Sequence, residues 1–275
     1  MPGFHGNAIW HEGSRLEVEN CRFTRLSGGI FTTCIGGGFV RNCEFLNVNY
    51  NGFGQGIAAY TPARDLMIED CTFTNCSEAF RADWGGCQDI TVQNCVMTGG
   101  RAGIGFYSGA SGTVRNCIIT GQNQWGIVLN RFGLVIIEDS FVSVASTGIY
   151  ATALGIWDPG HGTIVVHNNM FESNGRVVLV GSPLVNLDCR NNYFLQRDGQ
   201  GWLAIGTTNY TGPLLNLDFT GNYWGRSDVD YISQWILDNH DNPEIHFTID
   251  FVPMADSPVP VEQKTWSEVK GLFRE

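Results

Sequence analysis

The 275-residue chain repeats one short motif nine times. An apolar strand runs into Asn or Asp, then a small or amide residue, then one further residue and a large apolar one. Representative copies are Glu19-Asn20-Cys21-Arg22-Phe23, Glu69-Asp70-Cys71-Thr72-Phe73, Arg115-Asn116-Cys117-Ile118-Ile119 and Arg190-Asn191-Asn192-Tyr193-Phe194. The third position of the motif falls at residues 21, 43, 71, 95, 117, 140, 169, 192 and 222. A step of about 25 residues lies within the range of solenoid repeats, in which each unit buries its apolar side only against its neighbours.

Each unit has the same internal order. Before the Asn or Asp comes an alternating stretch such as Leu66-Met67-Ile68-Glu69 or Ile164-Val165-Val166-His167, the period of a half-buried strand. Asn and Asp tolerate a left-handed backbone, so the chain bends there and the next residue turns inward. After a second strand and a polar loop comes Gly followed by an apolar residue: Gly29-Ile30, Gly56-Ile57, Gly103-Ile104, Gly126-Ile127, Gly148-Ile149, with Ala79-Phe80 and Arg176-Val177 read into the same slot. Three strands and three bends per unit predict an all-β chain wound as a single-stranded, right-handed parallel β-helix of nine to ten coils. An antiparallel sandwich would need tight hairpin turns in register, and no Asn-Gly turn recurs.

These strings resemble the β-helix repeats of the pectin-lyase-like superfamily over roughly residues 14 to 225. Gly221-Asn222-Tyr223-Trp224-Gly225 and Ile249-Asp250-Phe251-Val252-Pro253 are similar to closing coils of secreted bacterial members. The resemblance divides the chain into a helix over 1–225 and a closing strand, short helices and cap over 226–275. It also implies polysaccharide as partner, a location outside the cell or on its surface, and calcium as the one cofactor in play. The family holds lyases, epimerases, hydrolases and adhesins, so activity does not follow from the fold.

The net charge of −11 argues against nucleic acid and disfavours a highly anionic polysaccharide. No apolar run approaches the length of a membrane span. The opening residues lack the basic-then-apolar order of a signal peptide and look too few to cap the first coil, which suggests a preceding segment and a monomer or a module of a longer chain. Five of the nine cysteines take the same motif slot in successive units, at 21, 43, 71, 95 and 117, and Ser140, Asn169, Asn192 and Asn222 follow them. Parallel stacked side chains do not converge as a disulfide requires, so an inward column of free thiols passing into amides is the simpler reading.

For a ligand site, the strand after the Gly corner gives two outward columns. Residues two beyond the corner are Phe31, Ala58, Arg81, Gly105, Val128, Tyr150 and Val178; residues four beyond are Thr33, Tyr60, Asp83, Tyr107, Asn130, Thr152 and Val180. Functional groups concentrate over the middle coils. Tyr60, Trp84, Asn130, Arg131 and Tyr150 are candidates for binding saccharide; Asp83 and Tyr107 are candidate acid or base groups, and Arg81 a charge stabiliser. An enzyme built on them would be a polysaccharide lyase before an epimerase or hydrolase, because glycoside hydrolysis needs a carboxylate pair and only Asp83 stands clearly on this face, with Asp158 as the one other carboxylate in reach of it. The string Trp157-Asp158-Pro159-Gly160-His161 is similar to an epimerase catalytic string with one Gly inserted, and is also an ordinary turn.

No metal ligand set is assigned. Asp228 and Asp230 read as the N-cap and first-turn acid of a short helix rather than as calcium ligands. Asp238 to Pro243 reads as a turn. The tail from Thr265 to Glu275 places Trp266, Val269, Leu272 and Phe273 on one helical face behind a Thr265–Glu268 capping pattern, and so predicts a cap over the last coil or the side of the rod.

Overall fold

The computed structural model describes residues 6–49, 54–152, 162–173, 175–180, 186–196, 203–204 and 214–257. The chain winds as a parallel β-helix. Seven successive coils between Leu16 and Val180 give one strand to each of three sheets. The first sheet holds the strands after the Gly corner, from Asn7–His11 to Arg176–Val180. The second holds the strands before the Asn turn, and the third the strands after it. The second sheet has ten strands and the other two have eight each.

The expectation of nine to ten coils is therefore too high for complete coils. Beyond Val180 the second sheet continues through Asn186–Arg190, Leu215–Asp218 and Phe247–Asp250, and the third through Tyr193–Gln196. Leu203–Ala204 pairs instead with Ile236–Leu237 in a separate two-stranded ribbon. At the other end, Asn7–His11 adds a rung to the first sheet by pairing with Gly28–Thr32.

The Asn turns form as the motif requires. Asn20, Asn42, Asp70, Asn94, Asn116, Asp139, Asn168 and Asn191 all have φ between 49° and 57°. At that dihedral most side chains crowd the following carbonyl, whereas Asn and Asp compensate with local hydrogen bonds. The inward column behind this turn forms as expected from Cys43 onward, whereas Cys21, on the first rung, is exposed. All nine cysteines are free, and Cys43, Cys71, Cys95 and Cys117 are buried. Each thiol donates to the carbonyl two residues before it, at 3.1–3.3 Å.

In the amide half the bonding is denser. Asn192 Nδ2 donates to Val166 O at 2.7 Å and Arg190 O at 3.0 Å, and its Oδ1 accepts the backbone N–H of Asn169 at 2.9 Å. Cys189, outside the motif column, belongs to the second sheet's core ladder behind Val166, and Cys76 and Cys87 fill corners where burial pushes their thiols up to about 11 and about 12.

Like side chains stack along the interior. The first sheet contributes Ile30, Ile57, Phe80, Ile104, Ile127, Ile149 and Val178; the third contributes Phe23, Phe45 and Phe73 with ring centroids 4.7 and 4.8 Å apart. Burial of each such side chain is worth roughly 1.5–3 kcal/mol. Near the C-terminal end, Asp228 caps the Val229–Ser233 helix by accepting the Tyr231 N–H at 3.0 Å, with Asp230 in the first turn, as read from the sequence. Asp238 is a buried turn carboxylate that accepts the N–H groups of His240 at 2.8 Å and Ile249 at 3.0 Å.

Candidate functional site

The register of the first sheet fixes which side chains share its outer face. Phe31, Ala58, Arg81, Gly105, Val128 and Tyr150 are Cα neighbours in one column, as are Tyr60 and Asp83, and Tyr107, Asn130 and Thr152, in the next. The seventh coil departs from expectation. Ile149 pairs with Val178 and Tyr150 with Leu179, so the corner lies at Val177 and not at Arg176. Val178 and Val180 point into the core, and Leu179 holds the outward place. Without a Gly there, the sequence left the corner ambiguous by one residue, which in a strand exchanges the two faces.

Arg81, Asp83 and Tyr107 come together in one cluster with two residues the sequence reading missed, Glu78 and Ser108. Arg81 Nε donates to Asp83 Oδ2 at 3.1 Å, its Nη2 donates to the same oxygen, and its Nη1 reaches Glu78 Oε2 at 3.3 Å. Its guanidinium lies 4.3 Å from the centre of the Tyr107 ring. The Tyr107 hydroxyl donates to Glu78 Oε1 at 2.8 Å, and the other Asp83 oxygen accepts the Trp84 N–H at 2.7 Å and the Ser108 hydroxyl at 2.9 Å.

The two carboxylates of the cluster are closed to water, while Arg81, Tyr107 and Ser108 remain part-exposed around them. Asp83 is buried, although the column reading placed it on the open face, and Glu78 is fully buried. Burial raises the Glu78 carboxyl above the usual carboxylate range, against the pull of Arg81, and burial with the neighbouring Glu78 charge pushes the Tyr107 hydroxyl well above its ordinary value. Gly105 makes the cluster possible. A Cβ there would lie 2.2 Å from Glu78 Oε1 and 2.3 Å from Tyr107 Cε2. Glu78 sits one residue before the corner, a third outward column that escaped a reading confined to the positions after it.

Beside the cluster runs a line of aromatic rings across four rungs. Trp10 stacks on Phe31 at 4.0 Å, Phe31 on Tyr60 at 4.8 Å, and Tyr60 meets Trp84 at 5.0 Å with planes tilted by 59°. The two middle rings cover one another's faces. The end rings stay open: Trp10 is 51% and Trp84 70% exposed. Trp10 was not among the candidates because the rung at Asn7–His11 was not recognised in the sequence, and Phe31, although in the first outward column, was not chosen from it. Tyr150 stacks on Trp125 at 5.7 Å, apart from the Arg81 cluster, and Asn130 and Arg131 occupy the rung between.

The residue after the second column turns left-handed in three successive coils: Trp84 at φ 63°, Ser108 at 51° and Arg131 at 52°. Asn, Asp or Gly fills most such positions in this molecule. A bulky Trp at positive φ is a genuine outlier, and Trp84 recovers little packing in return. Its carbonyl accepts from the Thr61 hydroxyl, and Gly85 and Gly86, both at positive φ, leave open space beside it.

The family model for the right-handed β-helix region matches residues 3–86 and 55–223. The chain belongs to the right-handed β-helix family. That agrees with the pectin-lyase-like resemblance of its Asn-turn repeats. No curated protein and no solved structure matches the chain. Among the described residues of this right-handed β-helix, no group of three or more His, Cys, Asp or Glu is placed to hold a metal ion, and no helix is long and apolar enough to cross a membrane. The Trp157–His161 string and the tail from 261 lie outside the described residues.

Proposed function

We propose that this β-helix protein recognises a polysaccharide on the outer face of its first sheet, at the cell surface or outside the cell. The observation that carries the reading is Trp84: a large apolar side chain, 70% exposed, on a left-handed backbone that Asn or Gly would adopt more cheaply. Backbone strain of this kind concentrates at binding sites, where the ligand contact compensates for it. Trp84 offers a flat apolar face for a sugar ring, and Tyr60, Asn130, Arg131 and Tyr150 supply edges and hydrogen-bonding groups along the neighbouring rungs.

The Glu78–Arg81–Asp83–Tyr107–Ser108 cluster underpins this surface. Its acceptors already hold donors, and Tyr107 donates inward to Glu78, so neither Asp83 nor Tyr107 stands free as a base toward the solvent. The reading is therefore recognition rather than cleavage. With Glu12 held by the Trp10 indole N–H at 2.9 Å and a net charge of −11, a neutral polysaccharide fits better than a polyuronate.

A panel of neutral and acidic glycans tests this, read by binding and by ultraviolet absorbance of unsaturated products. Binding to a neutral glycan, weakened about tenfold or more in Trp84→Ala, is expected; tenfold corresponds to roughly 1.4 kcal/mol of lost contact. Equal binding by Trp84→Ala, or none to any glycan, would refute the proposal. Absorbing products that disappear in Tyr107→Phe would instead make the cluster catalytic.

A further inference from the structure

The inward column behind the Asn turn changes chemistry along the rod. It begins with thiols at Cys21, Cys43, Cys71, Cys95 and Cys117 and ends with a hydroxyl and amides. The amides serve the backbone well. Asn192 and Asn222 accept the N–H of the preceding rung at 2.9 and 2.7 Å, and each donates to two carbonyls at 3.0 Å or less. The thiols do the same task poorly. The Cys21 N–H reaches Cys43 Sγ at 3.5 Å, and the contacts from each later thiol to a carbonyl of the rung before run from 3.5 to 4.0 Å. Five sulfurs therefore stand where an oxygen or an amide would hydrogen-bond better.

The register fixes how these sulfurs lie. Glu19 pairs with Arg41 just before Cys21 and Cys43, and Arg22 pairs with Glu44 just after them. The same bracketing holds at every later cysteine. All five thiols meet the carbonyl two residues before them at 3.1–3.3 Å, so their side chains share one orientation. Successive sulfurs are then spaced as the strands are, about 4.8 Å apart. That is too wide for a disulfide, whose sulfurs lie about 2.0 Å apart. It matches two collinear metal–thiolate bonds of about 2.3 Å each, the length known for zinc. The side chains run across the rod and the line of sulfurs runs along it. A metal on that line meets each sulfur side-on, as a two-bonded sulfur requires.

We propose that Cys21 and Cys43 bind a soft, two-coordinate monovalent metal ion, copper(I) or silver(I), between their sulfurs. Among the described residues no three His, Cys, Asp or Glu converge, so tetrahedral zinc has no ligand set here, whereas a linear ion needs only two thiolates. Thiolate ligands select soft ions of this kind. The pair stands at the open end of the column: Cys21 is exposed, and Cys43 to Cys117 are buried. Both line a polar recess of about 350 Å³ together with Asn20, Asn42, Glu44 and Asp70, whose oxygens and negative charge draw a hydrated cation toward the sulfurs. On binding, two S–H bonds break, two sulfur–metal bonds form and two protons pass to water, with no change in oxidation state. The complex carries one net negative charge. Deeper in the column that charge would sit among dry apolar side chains at high cost, so the pair at the open end fills first.

Titration of the full chain with silver(I) tests the proposal, read by native mass spectrometry and by iodoacetamide labelling of Cys21. One tightly held ion that shields Cys21 from alkylation is expected. Cys21→Ser and Cys43→Ser should each weaken silver binding by about a hundredfold or more, since even the outer partners of metal ligands are worth about 10–100-fold. Serine suits the slot, as Ser140 shows by donating to Glu138 O at 2.9 Å, so both variants keep the fold. Cys189→Ser removes a buried thiol outside the column and should leave the affinity unchanged. Silver held as tightly by Cys21→Ser or Cys43→Ser as by the parent would overturn the assignment. So would full labelling of Cys21 in the silver-loaded protein, or an equal loss of affinity in Cys189→Ser.

Discussion

Arg81 and Trp84 are close in sequence and end in opposite environments. Arg81 enters a cluster in which both carboxylates, the Tyr107 ring and a serine hydroxyl satisfy one another under a lid of their own side chains. Trp84 begins at the same Asp83, through its backbone N–H, and then turns outward on a left-handed backbone. The first region uses polar chemistry to make itself inert, and the second leaves apolar surface where water must cover it. On a solenoid face, then, density of charged and aromatic residues is not the signal of a site. What distinguishes the two is whether the groups have already satisfied each other.

That contrast is broken most severely at Arg81. Removal of its guanidinium leaves Glu78 and Asp83 buried without their cation, and loss of one partner from a buried ion pair costs about 3–5 kcal/mol. Arg81→Ala should therefore lower the chemical-denaturation midpoint sharply, with glycan affinity affected only through loss of fold. Gly105→Ala strikes the same cluster by crowding. The added methyl would meet Glu78 Oε1 and the Tyr107 ring far inside contact distance, so the pair must separate. Overpacking of this kind costs about 1–3 kcal/mol. A melting temperature unchanged from the parent would mean that Tyr107 is not held over Gly105.

Much of this molecule can be read from its sequence because the repeat is enforced at every rung. The left-handed turn selects Asn or Asp, and the residue behind it must be small or an amide, so both positions recur and both were found. The columns of the first sheet were legible wherever a Gly marked the corner, and slipped by one at Val177 where none did. The site was less legible. Asp83 reads as a surface acid because it falls in an outward column. Its burial depends on Arg81 folding back and on Tyr107 reaching across the gap at Gly105, and such side-chain paths leave no periodic trace. Glu78 escaped for the same reason, and Trp10 because its rung carries no motif.

Glu78 offers a smaller, pH-dependent test. Burial raises its folded pKa above the ordinary value of 4.5, so between that value and the folded pKa the native state holds a proton that the unfolded state has released. Stability contributed by this proton is present below pH 4.5 and is lost as pH rises through the folded pKa. Glu78→Gln keeps an acceptor for the Tyr107 hydroxyl and removes the titration. Its stability profile should be flatter than the parent's between pH 4.5 and the folded pKa, as measured by denaturation at a series of pH values. Parallel profiles would show that Glu78 does not titrate differently on folding.

The smallest effect on stability is expected at Trp84, with the opposite sign. A left-handed backbone disfavours most side chains by about 1–2 kcal/mol, and Asn is among the few that occupy it routinely. The packing given up is modest, because the ring is mostly exposed and meets Tyr60 at a tilt. Trp84→Asn should therefore melt at or slightly above the parent temperature, by up to about 1 kcal/mol of added stability, while binding to the neutral glycan falls. A stability gain joined to a loss of recognition is the pattern of a residue kept for its ligand. A clear loss of stability would instead make the ring the end of the aromatic stack begun at Trp10, and would move Trp84 to the same side of the comparison as Arg81.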